Sequence, residues 1–160
     1  MSVRRVSVLL LAIAIVAPIA GEAQEAQPPK QKTLYARVGG YDTIAKIVDT
    51  FLPKLRDEPR IAAMISGLAD TSKMRNRQMI VDQICGLAGG PCLYIGRTML
   101  AAHQGLGITQ DLWEISQKKM GETLDELKIK DPERKELIAL IETLRPDIVQ
   151  KPADDAKKPE

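Results

Sequence analysis

Apolar residues recur along most of the chain at spacings of three and four, and no alternating run of strand length interrupts them. This spacing predicts amphipathic helices. The clearest helix follows a cap at Asp42 or Thr43, and Pro53 within it predicts a kink or an early end. Its broad apolar face comprises Ile44, Ile47, Val48, Phe51, Leu52 and Leu55. The chain is therefore expected to be all-helical.

Glycine, proline and capping residues divide the remainder into further helices. In chain order, the predicted segments are Leu34–Val38, Arg60–Ile65, a helix from about Ser72 to the break at Gly89-Gly90-Pro91, Thr98–Gln104, a helix from the cap Thr109 to about Lys128, and a last helix that opens at Asp131-Pro132. The inward residues of the last helix are expected to be Ile138, Ile141, Leu144 and Ile148. This pattern predicts four principal helices with short linkers.

One polar residue interrupts the predicted inward stripe of the helix that begins near Ser72. The stripe comprises Met74, Gln78, Val81, Cys85 and Ala88. A buried amide without a partner costs about 1–3 kcal/mol, so Gln78 either turns out to meet a polar group or faces a cavity.

The first 23 residues have the layout of a secretory signal peptide. Arg4 and Arg5 precede an apolar run, residues 6–17, which is too short to span a bilayer comfortably. Small residues around Gly21 and Ala23 offer a cleavage site. We therefore expect a periplasmic or secreted protein with no membrane anchor after cleavage.

The composition of the remaining residues predicts a leader, one domain and a tail. Residues 24–32 are expected to form a flexible leader and residues 151–160 a disordered tail, which leaves 33–150 as one domain. Cleavage after Ala23 lowers Lys+Arg from 23 to 21 and Asp+Glu from 21 to 20, so the mature net charge is +1. Because positively and negatively charged residues are interspersed, we expect no nucleic-acid partner.

Cys85 and Cys92 are the only cysteines, and neither belongs to a Cys-x-x-Cys-His pattern. Covalent haem attachment of the cytochrome c kind is therefore not indicated. In an oxidising compartment the pair can form a disulfide, and two packed thiols are the alternative.

The only histidine, His103, lies in a glycine-rich segment, Gly89–Thr109. One imidazole cannot hold a bare metal ion, but it suffices for an iron that a macrocycle already holds. The segment contains Gly-Gly-Pro, Tyr-x-Gly-Arg and His-x-Gly-x-Gly-Ile in order. It resembles the proximal-histidine segment of the group 1 truncated haemoglobins. The resemblance extends to Leu-Tyr-x-Arg-Val-Gly-Gly at 34–40 and Leu-Arg-Pro-Asp-Ile-Val at 144–149.

This resemblance implies a two-over-two helical sandwich around haem b, with His103 as the iron ligand and Met99 beside its ring. It places Met74 and Gln78 on the distal side. Phe51 and Leu52 stand where the family usually has Phe-Tyr, so the tyrosine donor is missing. The family's haem-edge phenylalanine corresponds to Ile65. Arg77 and Arg97 are candidate partners for the haem carboxylates.

Four functions fit these features. The leading one is reversible binding of a small diatomic gas (oxygen, nitric oxide or carbon monoxide), with an electron donor that the sequence does not identify. The second is detoxification of nitric oxide or peroxide, although no acid or base lies on the predicted distal stripe. The third is electron transfer with Met74 as a second axial ligand. The fourth is a bundle without haem that binds other proteins, which an aromatic content of 3% disfavours.

Overall fold

The computed structural model describes residues 32–150, so the predicted signal peptide, most of the leader and the tail lie outside the described residues. Every regular element within this range is helical, which confirms the predicted fold class. The helices are α1 (Leu34–Val38), α2 (Gly40–Arg56), α3 (Pro59–Ile65), α4 (Asp70–Leu87), α5 (Met99–His103), α6 (Gln110–Glu126), α7 (Glu133–Glu142) and α8 (Arg145–Ile148). None of these helices is long and apolar enough to cross a membrane.

Two boundaries differ from the expected ones for local reasons. Helix α2 continues through Pro53 to Arg56, because Leu52 and Leu55 on either side of the proline pack against the core. The expected last helix is divided into α7 and α8. Pro146 has no N–H to donate to the carbonyl four residues earlier, so a continuous helix would lose a hydrogen bond there.

The core lies where α2, α4, α6 and α7 meet. Its largest fully buried side chains include Ile44, Ile47, Met120, Leu124 and Leu137. Helix α2 packs against both α4 and α6, and α6 packs against α7. Burying a side chain of this size stabilises the fold by about 1.5–3 kcal/mol, so these contacts hold the four principal helices together.

Cys85 and Cys92 form a disulfide, with their Cα atoms 5.7 Å apart. Cys85 is fully buried near the end of α4, whereas Cys92 lies on the loop that leads to α5. Of the two alternatives left open by the sequence, the structure therefore has the disulfide. The bond ties the start of this loop to the core.

Reduction of the disulfide should lower the free energy of unfolding by about 2–3 kcal/mol, because it frees a short loop in the unfolded chain. Urea unfolding of the oxidised and the reduced protein measures the difference. The double variant Cys85→Ala, Cys92→Ala serves as the control and should not respond to reductant. Equal stabilities of the oxidised and reduced wild type would contradict the prediction.

An ion pair joins α3 to the start of α6. Nη1 of Arg60 lies 2.6 Å from Oδ2 of Asp111. The pKa of Asp111 is lowered from 3.8 to about 2, first by the hydrogen bond that the Thr109 hydroxyl donates to its carboxylate and then by the hydrogen bond from Arg60. The carboxylate therefore favours the folded state above its unfolded pKa, and this contribution is lost as the pH falls through the folded value.

Acid should therefore destabilise the wild type more than the variant Asp111→Asn between about pH 4 and about pH 2. Unfolding followed by circular dichroism at several pH values gives the free energy of unfolding of both proteins, and the slopes of this free energy against pH are compared. Asp147→Asn is the matched control, because Asp147 is exposed and its side chain forms no hydrogen bond within residues 32–150. Identical slopes for Asp111→Asn and the wild type would show that the pair contributes nothing.

Candidate functional site

A cavity of about 710 Å³ lies beside the core. Helices α2 to α6 line it, together with the loop before α5 and residues 141–148 near the C-terminal end of the fold. Most of the lining side chains are apolar, and none of those in the described part of the chain is a carboxylate. A cavity of this size and polarity is typical of a cofactor site.

His103 lines the cavity from the last position of α5. Thr98 caps the start of this helix, and its hydroxyl accepts a hydrogen bond from the N–H of Ala101 over 3.2 Å. Nδ1 of His103 lies 2.7 Å from the carbonyl oxygen of Met99, one turn earlier. Since a carbonyl can only accept, Nδ1 carries the proton and Nε2 keeps its lone pair. The ring is therefore in the tautomer that can bind a metal through Nε2.

Several residues singled out in the sequence meet in this cavity. Met99 lines it next to His103, and Phe51, Leu52 and Ile65 line it from α2 and α3. Phe51 is 8% exposed, so its ring belongs both to the core and to the cavity wall. The side chain of Leu52 carries no hydroxyl, so α2 offers no hydrogen-bond donor at this position.

The structure does not place Met74 and Gln78 in the cavity, which corrects the expected distal stripe. Met74 is 71% exposed. Nε2 of Gln78 donates to the Tyr41 hydroxyl and to Oδ1 of Asp82, each over 2.9 Å. The amide is thus satisfied at the surface, which was the first of the two alternatives for this residue.

A different face of α4 lines the cavity. Its cavity residues include Asn76, Met79, Ile80 and Gln83. Helix α4 uses two neighbouring faces, because Val81 and Cys85 pack in the core while Ile80 and Ile84, one position earlier, line the cavity. Neighbouring positions on a helix are about 100° apart, so a stripe drawn through Val81 and Cys85 follows the core face and misses the cavity face. Counting back from Ile84 at helical steps to Ile80 and Asn76 would have found the cavity face.

The two candidate arginines have different surroundings. Arg97 is exposed and lines the cavity. Arg77 does not line it, because its guanidinium binds Asp49 over 2.6 and 2.8 Å. This hydrogen bonding raises the pKa of Arg77 and lowers that of Asp49. Three other cations line the cavity that no motif in the sequence indicated: Arg56, Lys73 and Arg75.

The Tyr-x-Gly-Arg motif is a local hydrogen-bonded turn beside the cavity. The Tyr94 hydroxyl donates to the carbonyl oxygen of Arg97 over 2.6 Å. A Cβ atom on Gly96 would lie 2.3 Å from the tyrosine ring, so only glycine permits this approach. The motif therefore fixes the loop through which Arg97 reaches the cavity.

Trp113, the only tryptophan of the chain, lines the cavity from α6. It is 6% exposed, and its indole N–H donates to the carboxylate of Glu142 over 2.9 Å. This hydrogen bond links α6 to the end of α7 and satisfies the one polar group of a buried indole.

Comparisons with known proteins agree with this architecture. The family model described as bacterial-like globin matches residues 33–150. A group 1 truncated haemoglobin of Nostoc sp. (strain MUN 8820) is 30% identical over 92 residues, which cover 58% of this chain and 75% of that protein. One of Mycolicibacterium paratuberculosis is 23% identical over 116 residues, 72% of this chain and 83% of that one.

A solved structure shows the same fold. The crystal structure of truncated haemoglobin from Tetrahymena pyriformis, in the Fe(III) form, has a TM-score of 0.68 and 26% sequence identity. The match covers 75% of this chain and 100% of the Tetrahymena chain. The chain therefore belongs to the bacterial-like globins, as a member of the haem-binding group 1 truncated haemoglobins.

Proposed function

We propose that this chain is an exported haem protein that reversibly binds a small diatomic ligand (oxygen, nitric oxide or carbon monoxide) at an iron held by His103. One observation carries the proposal: the single histidine lines a largely apolar cavity with Nδ1 bound to the Met99 carbonyl, which leaves Nε2 as a ligand. A second-shell hydrogen bond of this kind orients a metal-binding imidazole and raises its basicity.

The residues of the cavity fit haem in shape and charge. Apolar side chains, among them Phe51, Ile65 and Met99, suit the porphyrin. The haem carboxylates need cations near the surface, and Arg56, Lys73, Arg75 and Arg97 line a cavity that contains no carboxylate among the described residues. Because the cysteines form a disulfide with each other, we propose haem b without a thioether link.

When bound, haem would supply an iron that can take up a diatomic ligand. The chain contributes the rest. His103 would hold the iron through Nε2, and the apolar wall would exclude water from the site. Asn76 and Gln83 are the uncharged amides on α4 that line the cavity, so they replace Gln78 as our proposed donors to the ligand. Leu52 contributes no donor, so we expect oxygen to be held less firmly than in relatives with tyrosine.

Replacing His103 by Gly should abolish tight haem binding, because it removes the only imidazole of the chain. Absorption spectra and haem titration of the purified variant measure the loss. Added imidazole should restore the spectrum by occupying the vacated space, which separates ligand loss from misfolding. A variant that keeps stoichiometric haem and an unchanged spectrum without imidazole would exclude His103 as the ligand.

The double variant Asn76→Leu, Gln83→Leu should release oxygen roughly thirtyfold faster, since it removes two hydrogen bonds of about 1 kcal/mol each. Release of carbon monoxide, a poorer acceptor, should change little. Leu52→Tyr should slow oxygen release by adding a donor. Stopped-flow ligand replacement measures all three rates.

The matched control for these variants is Gln78→Leu, which removes an amide that the structure places at the surface. Oxygen should leave this control at the wild-type rate. A wild-type rate in the double variant would remove Asn76 and Gln83 as donors, and a fast rate in the control would restore the original assignment of Gln78.

We also propose that the protein acts in the periplasm or outside the cell, on the basis of the signal-like residues 1–23. Its partners would then be the gas ligand and an electron donor that keeps the iron reduced, with no nucleic acid and no membrane anchor after cleavage.

A further inference from the structure

Gln150 joins the C-terminal end of the described chain to the segment that follows His103. Its amide nitrogen Nε2 donates to the carbonyl oxygen of His103 over 2.7 Å. Its amide oxygen Oε1 accepts from the N–H of Gly107 over 3.2 Å. Its backbone N–H donates to the carbonyl oxygen of Ile108 over 2.8 Å. We infer that Gln150 is a positioning residue for His103, an inference that rests on the proposed role of His103 as the iron ligand.

The segment around His103 has few interactions of its own that could hold it. Helix α5 has five residues, which is too short to be stable without outside contacts. The loop that follows turns through Gly107, whose φ of +66° lies in the left-handed region that favours glycine. Leu106, next to Gly107, is 41% exposed, so it is only partly held by packing. Polar contacts from outside the segment are therefore needed to fix its conformation.

Gln150 supplies these contacts at the end of α5. The last carbonyl groups of a helix have no partner within the helix. The carbonyl oxygen of His103 accepts from the N–H of Leu106 over 3.1 Å and from Gln150, which uses both of its lone pairs. The backbone of His103 is thus held directly by a residue that is 47 positions away in the sequence.

The chemistry of the side chain and its anchoring both favour this role. An amide donates and accepts at the same time, which a carboxylate or an apolar side chain of the same length cannot do. Gln150 follows Ile148, which is 9% exposed and lines the same cavity from α8. Because α8 packs against α5, the contact between these two helices also helps to fix the position of Gln150 relative to His103.

Two points therefore hold His103. The Met99 carbonyl fixes the rotation of the ring through Nδ1, and Gln150 fixes the backbone from which the ring projects. If the second contact is lost, the ring should tilt over a wider range. Haem should then be released faster, and the vibration between iron and histidine should change.

The variant Gln150→Met tests this, because methionine has a similar length and removes both side-chain hydrogen bonds. In the haem-free protein, deuterium exchange of the Gly107 amide should be roughly fivefold faster. In the ferrous holoprotein, the iron–histidine band in resonance Raman spectra should shift or broaden. Haem transfer to an acceptor globin should also be roughly fivefold faster.

Two further variants complete the experiment. Gln150→Glu keeps an acceptor for Gly107 but loses the donor to His103, so it should keep the Gly107 amide protected and still alter the iron–histidine band. Gln104→Met is the matched control, since Gln104 adjoins His103 and its side chain forms no hydrogen bond within the described chain. The control should match the wild type in all three measurements.

An iron–histidine band in Gln150→Met identical to that of the wild type would overturn the inference, even if the variant unfolds more easily, because Gln150 would then be structural only. Failure of the proposed function has a separate signature, the retention of haem with an unchanged spectrum by His103→Gly.

Discussion

The hydrogen bond from Nδ1 of His103 to the carbonyl oxygen of Met99 spans one turn of a helix that is only five residues long. A chain with a single histidine has no second imidazole to compensate for a wrong tautomer or a rotated ring. The Thr98 cap, the turn of Tyr94 and Arg97, and the hydrogen bonds of Gln150 all act on this short segment. The position of His103 therefore depends on polar contacts made to this short helix.

The principal helices each serve two purposes, because about 120 residues must build both a core and a cavity. Helix α4 packs one face on α2 and turns the next face to the cavity, and Phe51 on α2 takes part in both. The disulfide holds the end of α4 to the loop before α5, so the two walls that these helices form are joined covalently. A residue such as Phe51 therefore stabilises the core and forms the cavity wall at the same time.

The sequence predicted the helical class and most helix boundaries, because apolar periodicity and glycine breaks are local signals. It also named His103, Met99, Phe51, Leu52 and Ile65 as site residues; these line one cavity, and their roles toward haem stay predictions. It failed for Met74 and Gln78, since a helix with two buried faces has two possible stripes and periodicity alone does not rank them. Arg77 binds Asp49, and no local pattern indicates this ion pair because the two residues are 28 positions apart. The role of Gln150 depends on a contact over 47 residues, which no local pattern indicates.

Trp113 gives the cavity a spectroscopic consequence. The chain contains one tryptophan, so its intrinsic indole fluorescence comes from a single ring on the cavity wall. Burial shields this ring from quenchers in solution, and the carboxylate of Glu142 holds its orientation. A chromophore in the cavity that absorbs near the ultraviolet emission of indole would quench it by energy transfer. The emission of this one side chain thus reports directly whether the cavity is filled.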